Sequence, residues 1–189
     1  MEKYLEYIQK EKHFDFIKDE KIKYSLELFE SYVFSVYESL QDCNDKFLYD
    51  FKKHTIMIYI GSVVEAMVYY FAKEKLSNKE KYRRKYLEIE EFRKLQDIKK
   101  TENLYICELV KKEISLNDSI NFKALIDWLK DKKLMTQEII DKIDNFRKTR
   151  NSVHINVYKN WEEIFESLIE FFNDFKDIKK FIREGLEKN

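Results

Sequence analysis

Thr55-Ile56-Met57-Ile58-Tyr59-Ile60-Gly61-Ser62-Val63-Val64-Glu65-Ala66-Met67-Val68-Tyr69-Tyr70-Phe71-Ala72 is the stretch on which the fold turns. Glu65 carries its one charge, and apolar side chains fall on nearly every side of a helical wheel. A helix apolar all round either spans a bilayer or runs through the middle of other helices. This stretch could just cross a membrane, at a cost of roughly 2.5–3.5 kcal/mol for a central carboxylate that behaves like aspartate. Gly61 and Ser62 at its centre suit close approach by a neighbouring helix better. The chain also starts Met1-Glu2-Lys3-Tyr4-Leu5-Glu6, with charges where a signal peptide needs an apolar run. The expectation is a soluble, cytoplasmic protein that engages no membrane.

The helices that would surround this core can be read outward from it. Ile22, Leu26, Phe29, Val33, Val36/Tyr37 and Leu40 form a helical stripe over 20–40. Asp42-Cys43-Asn44-Asp45 then supplies caps for the central helix, at about 46–76. Residues 1–19 suggest a short helix and a connecting segment. Downstream, Asn121 caps a helix over 122–132 and Thr136 one over 136–155, where Glu138 favours the dipole. Asn160 with Glu163 opens a last helix over 160–183, carrying Phe171/Phe172, Phe175, Ile178 and Phe181/Ile182. The short connection before it predicts antiparallel packing of the final two helices. Between 77 and 100 charge is dense, and helix or hairpin stays open. Asn103–Glu113 suggests a further short helix and 115–119 a loop. The whole predicts one all-α domain over 1–189, an up-and-down bundle with a short irregular or hairpin insertion near 80–100.

Composition narrows the function. The chain has no Pro and two Gly, so the glycine-rich phosphate loops of Walker-type and Rossmann-type sites are excluded. Lysines and arginines number 36 and acids 36, which argues against coating nucleic acid through a global positive field. A local basic cleft is still allowed. Cys43 and Cys107 lack metal-ligand spacing and His13, His54 and His154 are scattered, so no metal or other cofactor is expected. His13 and His54 default to surface or core packing.

One local rule is broken. The stripe Ile139, Ile143, Phe146 continues at helical spacing into Arg150 and His154, a guanidinium and an imidazole where two hydrophobes belong. Side chains at i and i+4 lie one above the other, so the two groups would share one space. Burying them costs several kcal/mol unless they are paired or open onto a cleft. Glu65 is the other exception, a carboxylate on the apolar helix. It could pair with a core cation, or hold Arg150 in position.

Arg150-Asn151-Ser152-Val153-His154, with the Gly61-Ser62-Val63-Val64-Glu65-Ala66 helix, resembles the HEPN family (higher eukaryote and prokaryote nucleotide-binding). Its members are small helical domains, many of them ribonucleases, with an Arg followed by Asn, Asp or His and then a His near a helix end. Four to six residues usually separate Arg from His; here three do, and six when counted from Arg147, which Lys148 follows. The resemblance implies metal-independent RNA cleavage. In that chemistry Arg150 and His154 are catalytic, Asn151, Glu65 and Arg147 support them, and two chains meet so that each supplies one His. Lys148, with Arg83 and Arg84 of the basic run Lys79–Lys85, would bind RNA, and Tyr82 and Tyr86 could stack on bases. Two other readings stand beside it. One is a non-catalytic HEPN-like module binding RNA, nucleotide or a partner protein, as in a toxin–antitoxin or phage-defence pair. The other is a plain scaffold with a buried Arg150–Glu65 ion pair.

Overall fold

The computed structural model describes residues 1–76, 120–152 and 167–188, and the backbone of 82–87, 93–94, 105–106 and 110–115. The chain divides into two compact units, Met1–Lys75 with Asn121–Asn189, and Leu76–Ile120. The first is an all-α bundle of α1 (Glu2–Lys10), α2 (Glu20–Glu38), α3 (Lys46–Lys75), α4 (Phe122–Asp131), α5 (Gln137–Ser152) and α6 (Leu168–Glu187).

α3 is the axis. It packs against α2, α4, α5 and α6, and Ile56, Met57, Ile60, Val63, Val64 and Met67 are all fully buried. It is long and apolar enough to cross a membrane by length and composition, and most of that stretch lies inside the bundle. Three caps expected from the sequence form. Leu48 N donates to Asp45 Oδ1 at 2.9 Å, Lys123 N to Asn121 Oδ1 at 2.8 Å and Ile139 N to Thr136 Oγ1 at 3.4 Å. Asp19 caps α2 in the same way.

Neighbouring helices run antiparallel where paired residues give the direction. Lys3 meets Glu38 and Gln9 meets Glu27 between α1 and α2. Phe146 meets Phe171 with ring centroids 4.6 Å apart while Lys142 reaches Asp174 and Asp177, so α5 and α6 are antiparallel as expected. The described part of α6 begins later than expected, at Leu168, with Ser167 Oγ accepting from Glu170 N. Asn160 and Glu163 lie outside the described residues. At the other end α6 passes through Gly185, where a Cβ would sit 2.7 Å from the Phe71 ring, so any larger residue would have to displace that ring.

α2 buries a different face from the one its hydrophobes suggested. Leu26 and Val33 are inside, but so are Glu27, Glu30 and Ser31, while Phe29 is 39% exposed. The reason is the N-terminal segment. After α1 the chain reverses at Lys12 (φ 54°) and lays Phe14, Phe16 and Ile17 into the core. That covers the polar flank of α2. The large exposed apolar side chains therefore sit mainly on α2 and the start of α3, with Phe47 83% and Phe51 61% exposed, and few remain on the last two helices.

In the second unit β1 (Tyr82–Leu87) pairs antiparallel with β4 (Val110–Ser115), and β2 (Arg93–Lys94) with β3 (Tyr105–Ile106). Along the chain the β2–β3 pair falls between β1 and β4. This corrects the short helix expected over 103–113. A run such as Val110-Lys111-Lys112-Glu113-Ile114 gains its hydrogen bonds from a strand more than twenty residues upstream, which local propensity does not register.

Candidate functional site

The apolar stripe of α5 ends as the sequence implied. Ile139, Ile140, Ile143 and Phe146 are buried, and one turn further Arg150 forms an ion pair with Glu65 of α3. Gly61 makes the meeting possible. A Cβ there would lie 3.3 Å from Arg150 Cβ and 3.5 Å from the Phe146 carbonyl oxygen, so α3 and α5 cross almost backbone to backbone. The pair is not sealed in the core. Its side chains keep 38% and 30% of their exposure, enough for solvent or a ligand to reach the guanidinium.

The neighbours of Arg150 behave differently from it. Asn151 is exposed on the last turn of α5. Arg147 and Lys148 both turn to Asp144, at 2.7 and 3.1 Å, and Lys123 of α4 approaches the same carboxylate at 3.7 Å. Burial pushes the Asp144 carboxyl up, but hydrogen bonds from Arg147 and Lys148 outweigh it and hold the group below the usual carboxylate range. These two cations are thus engaged away from the Glu65 pair. His154 lies outside the described residues, and so does the expected shared pocket of Arg150 and His154. Arg83 and Arg84 sit on β1, in register with Ile114 and Glu113, in the other unit.

A second cluster escaped the sequence reading. His13 Nδ1 lies 2.9 Å from Glu30 Oε2, and Lys179 Nζ donates to both Glu30 oxygens at 2.9 and 3.1 Å. His13 therefore has ionic company in space, although none near it in sequence. Lys179 also lies over the Phe14 ring at 4.0 Å. Burial alone would raise the Glu30 carboxyl, but the His13 hydrogen bond and the Lys179 charge hold it below the usual range. Burial pushes the Lys179 ammonium down, with Glu30 opposing and Arg183 adding to the effect. Glu30 stays ionised because it gathers two donors, whereas Lys179 has one acid to set against its desolvation. Separations of 17 and 149 residues hid this from any periodicity argument; the one local signal was an acid at a core position of α2. His54 is half-buried on α3, and burial lowers its pKa.

Among the described residues no group of three or more His, Cys, Asp or Glu side chains converges as a metal site would. Comparison with protein families, with curated proteins and with solved structures returned no match.

Proposed function

We propose that the chain is an HEPN-like, metal-independent endoribonuclease in which Arg150 binds the scissile phosphate and His154 moves protons. The observation that supports this is the Arg150–Glu65 pair, which ends a buried stripe yet opens to solvent. A carboxylate on one side of a guanidinium fixes its plane and leaves further N–H donors for a phosphate. In the reaction the RNA 2′-oxygen attacks phosphorus as its proton passes to a base. The bond to the 5′-oxygen breaks and that oxygen receives a proton, leaving a 2′,3′-cyclic phosphate and a 5′-hydroxyl. An imidazole suits either transfer near neutral pH. Arg150 offsets the charge that builds on the phosphoryl oxygens, and Asn151 orients phosphate or imidazole. One motif histidine per chain cannot be acid and base together, so a two-fold homodimer would bring a second to the cleft. Such an enzyme fits a cytoplasmic toxin or phage-defence component held by a partner protein.

The test is cleavage of single-stranded RNA in EDTA. His154→Ala should abolish it and Arg150→Ala should lower the rate by roughly 10²–10³. Mixed His154→Ala and Arg150→Ala chains should regain part of it if the site is shared. Cleavage that survives His154→Ala, or an active monomer, would overturn the mechanism. A second reading, a non-catalytic RNA-binding module, is favoured by the engagement of Arg150 with Glu65 and by the three-residue spacing to His154. RNA retained without cleavage would select it.

A further inference from the structure

α6 breaks the same rule as α5, on a larger scale. Ile169, Phe172, Lys176, Lys179 and Arg183 follow one another at helical spacing, so one face turns from apolar to cationic while Phe171, Phe175, Ile178 and Ile182 fill the core beside it. A surface helix normally turns its lysines to open water. Here that face borders a cavity of about 580 Å³. Across it stand Val33, Phe34 and Tyr37 of α2, with Ile60 of α3 below. The volume falls within the range that encloses a small organic ligand, and apolar walls with a few convergent polar groups are what such sites present.

The charges around the cavity are unequal. Lys176, Lys179, Lys180 and Arg183 face it against Glu11 and Glu30. Glu30 is already taken by His13 and Lys179. Lys176 has no ion-pair partner among the described residues, and Lys180 has only Glu184 at 4.0 Å. Arg183 spends its terminal nitrogen on the Lys12 and His13 carbonyls and on Asp15, yet its Nε–H is buried with no acceptor among the described residues. That Nε–H is sealed from solvent, so an anion in the cavity would meet the exposed part of the Arg183 side chain instead.

We propose that this cavity binds a small organic anion. Its flat apolar body lies against Phe34 and against the Tyr37–Phe172 pair, whose rings already meet edge to face at 5.4 Å, and its carboxylate, sulfonate or phosphate meets Lys176, Lys180 and Arg183. Aromatic walls favour a planar body through ring contacts. Ammonium groups at the mouth and a guanidinium deeper in favour a single negative end. The site is formed by α2, α6, the turn after α1 and Ile60 of α3; it shares no lining residue with the Arg150–Glu65 pair and stands whatever that pair does.

The experiment uses 8-anilinonaphthalene-1-sulfonate and its uncharged relative N-phenyl-1-naphthylamine on the full chain, by fluorescence titration and calorimetry. Saturable binding of one sulfonate per chain is expected, at least about tenfold tighter than the neutral compound, with a rise in the thermal midpoint. Lys176→Glu with Lys180→Glu, both at exposed positions, should weaken the sulfonate about tenfold or more and leave the neutral compound unchanged. Asn173→Trp, an exposed position that lines the cavity, should weaken both by blocking its mouth; it decides the matter should the charge-reversed protein lose its native circular dichroism. Non-saturable binding, equal affinity for the two compounds, or sulfonate binding indifferent to these variants would overturn the proposal.

Discussion

Glu30 shows how a single side chain can couple stability to pH. Its folded pKa lies below the ordinary glutamate value of 4.5, because His13 and Lys179 outweigh the effect of burial. A group depressed in this way contributes stability above its unfolded pKa and loses it as pH falls through the folded value. Replacing it leaves Lys179 and His13 facing a core without their anion. We expect Glu30→Gln to lower unfolding free energy at pH 7 by about 3 kcal/mol. The gap to the native protein should narrow when pH 7 is exchanged for a pH below the lowered folded value, where the native carboxyl is neutral too. Urea titrations at the two pH values check this, and a gap of constant size would show that the pair contributes nothing electrostatic. Lys179 carries a penalty where Glu30 carries a gain, yet it too makes stability rise with pH, at the alkaline end. Its charged form is the disfavoured one, so its penalty eases as pH rises through its lowered pKa.

Between elements, Lys142 is the main polar link from α5 to α6. Its ammonium meets Asp174 at 3.1 Å, Asp177, and Glu138 one turn back on its own helix at 3.5 Å. The Asp177 hydrogen bond leads in raising its pKa above the ordinary lysine value, so the link persists through neutral pH and weakens only above about pH 10.4. Lys142→Met keeps the aliphatic stem and strands two facing carboxylates. A loss of roughly 1–3 kcal/mol is expected, read as a lowered thermal midpoint that Asp174→Asn in the same chain partly restores. An unchanged midpoint would mean that the aromatic contact of Phe146 with Phe171 holds the two helices unaided. What could be read from sequence divides along the same line. Asp45, Asn121 and Thr136 were legible as caps because a cap is satisfied within three residues. α3 was legible because a helix apolar on all sides leaves few alternatives. The β1–β4 ladder and the Glu30 cluster were not, since their partners lie far along the chain. The Arg150–Glu65 pair falls between these cases, marked on both helices by a charge out of place.

For the whole molecule, the position of α3 in the chain has a consequence for its birth. The central helix is complete at Lys75, whereas the last helix that encloses it ends at Glu187, with the 76–120 unit synthesised in between. Contacts such as Lys179 with Glu30 and Arg183 with the Lys12 carbonyl span 149 and 171 residues. At about 5–20 residues per second, the ribosome needs roughly 6–22 s to go from Lys75 to Glu187. Until α4 and α5 emerge, α3 is the most apolar segment outside the exit tunnel, with only the elements before it to give cover. A nascent chain stalled shortly after the 76–120 unit has emerged should therefore crosslink through α3 to whatever apolar-binding chaperone or targeting factor attends the ribosome. The same chain stalled after α6 has emerged should not. Equal crosslinking at both lengths would mean that α3 finds cover before its neighbours exist. The burden on the cell's quality control is thus set by the order in which the helices are made, a cost of synthesis that the finished bundle no longer displays.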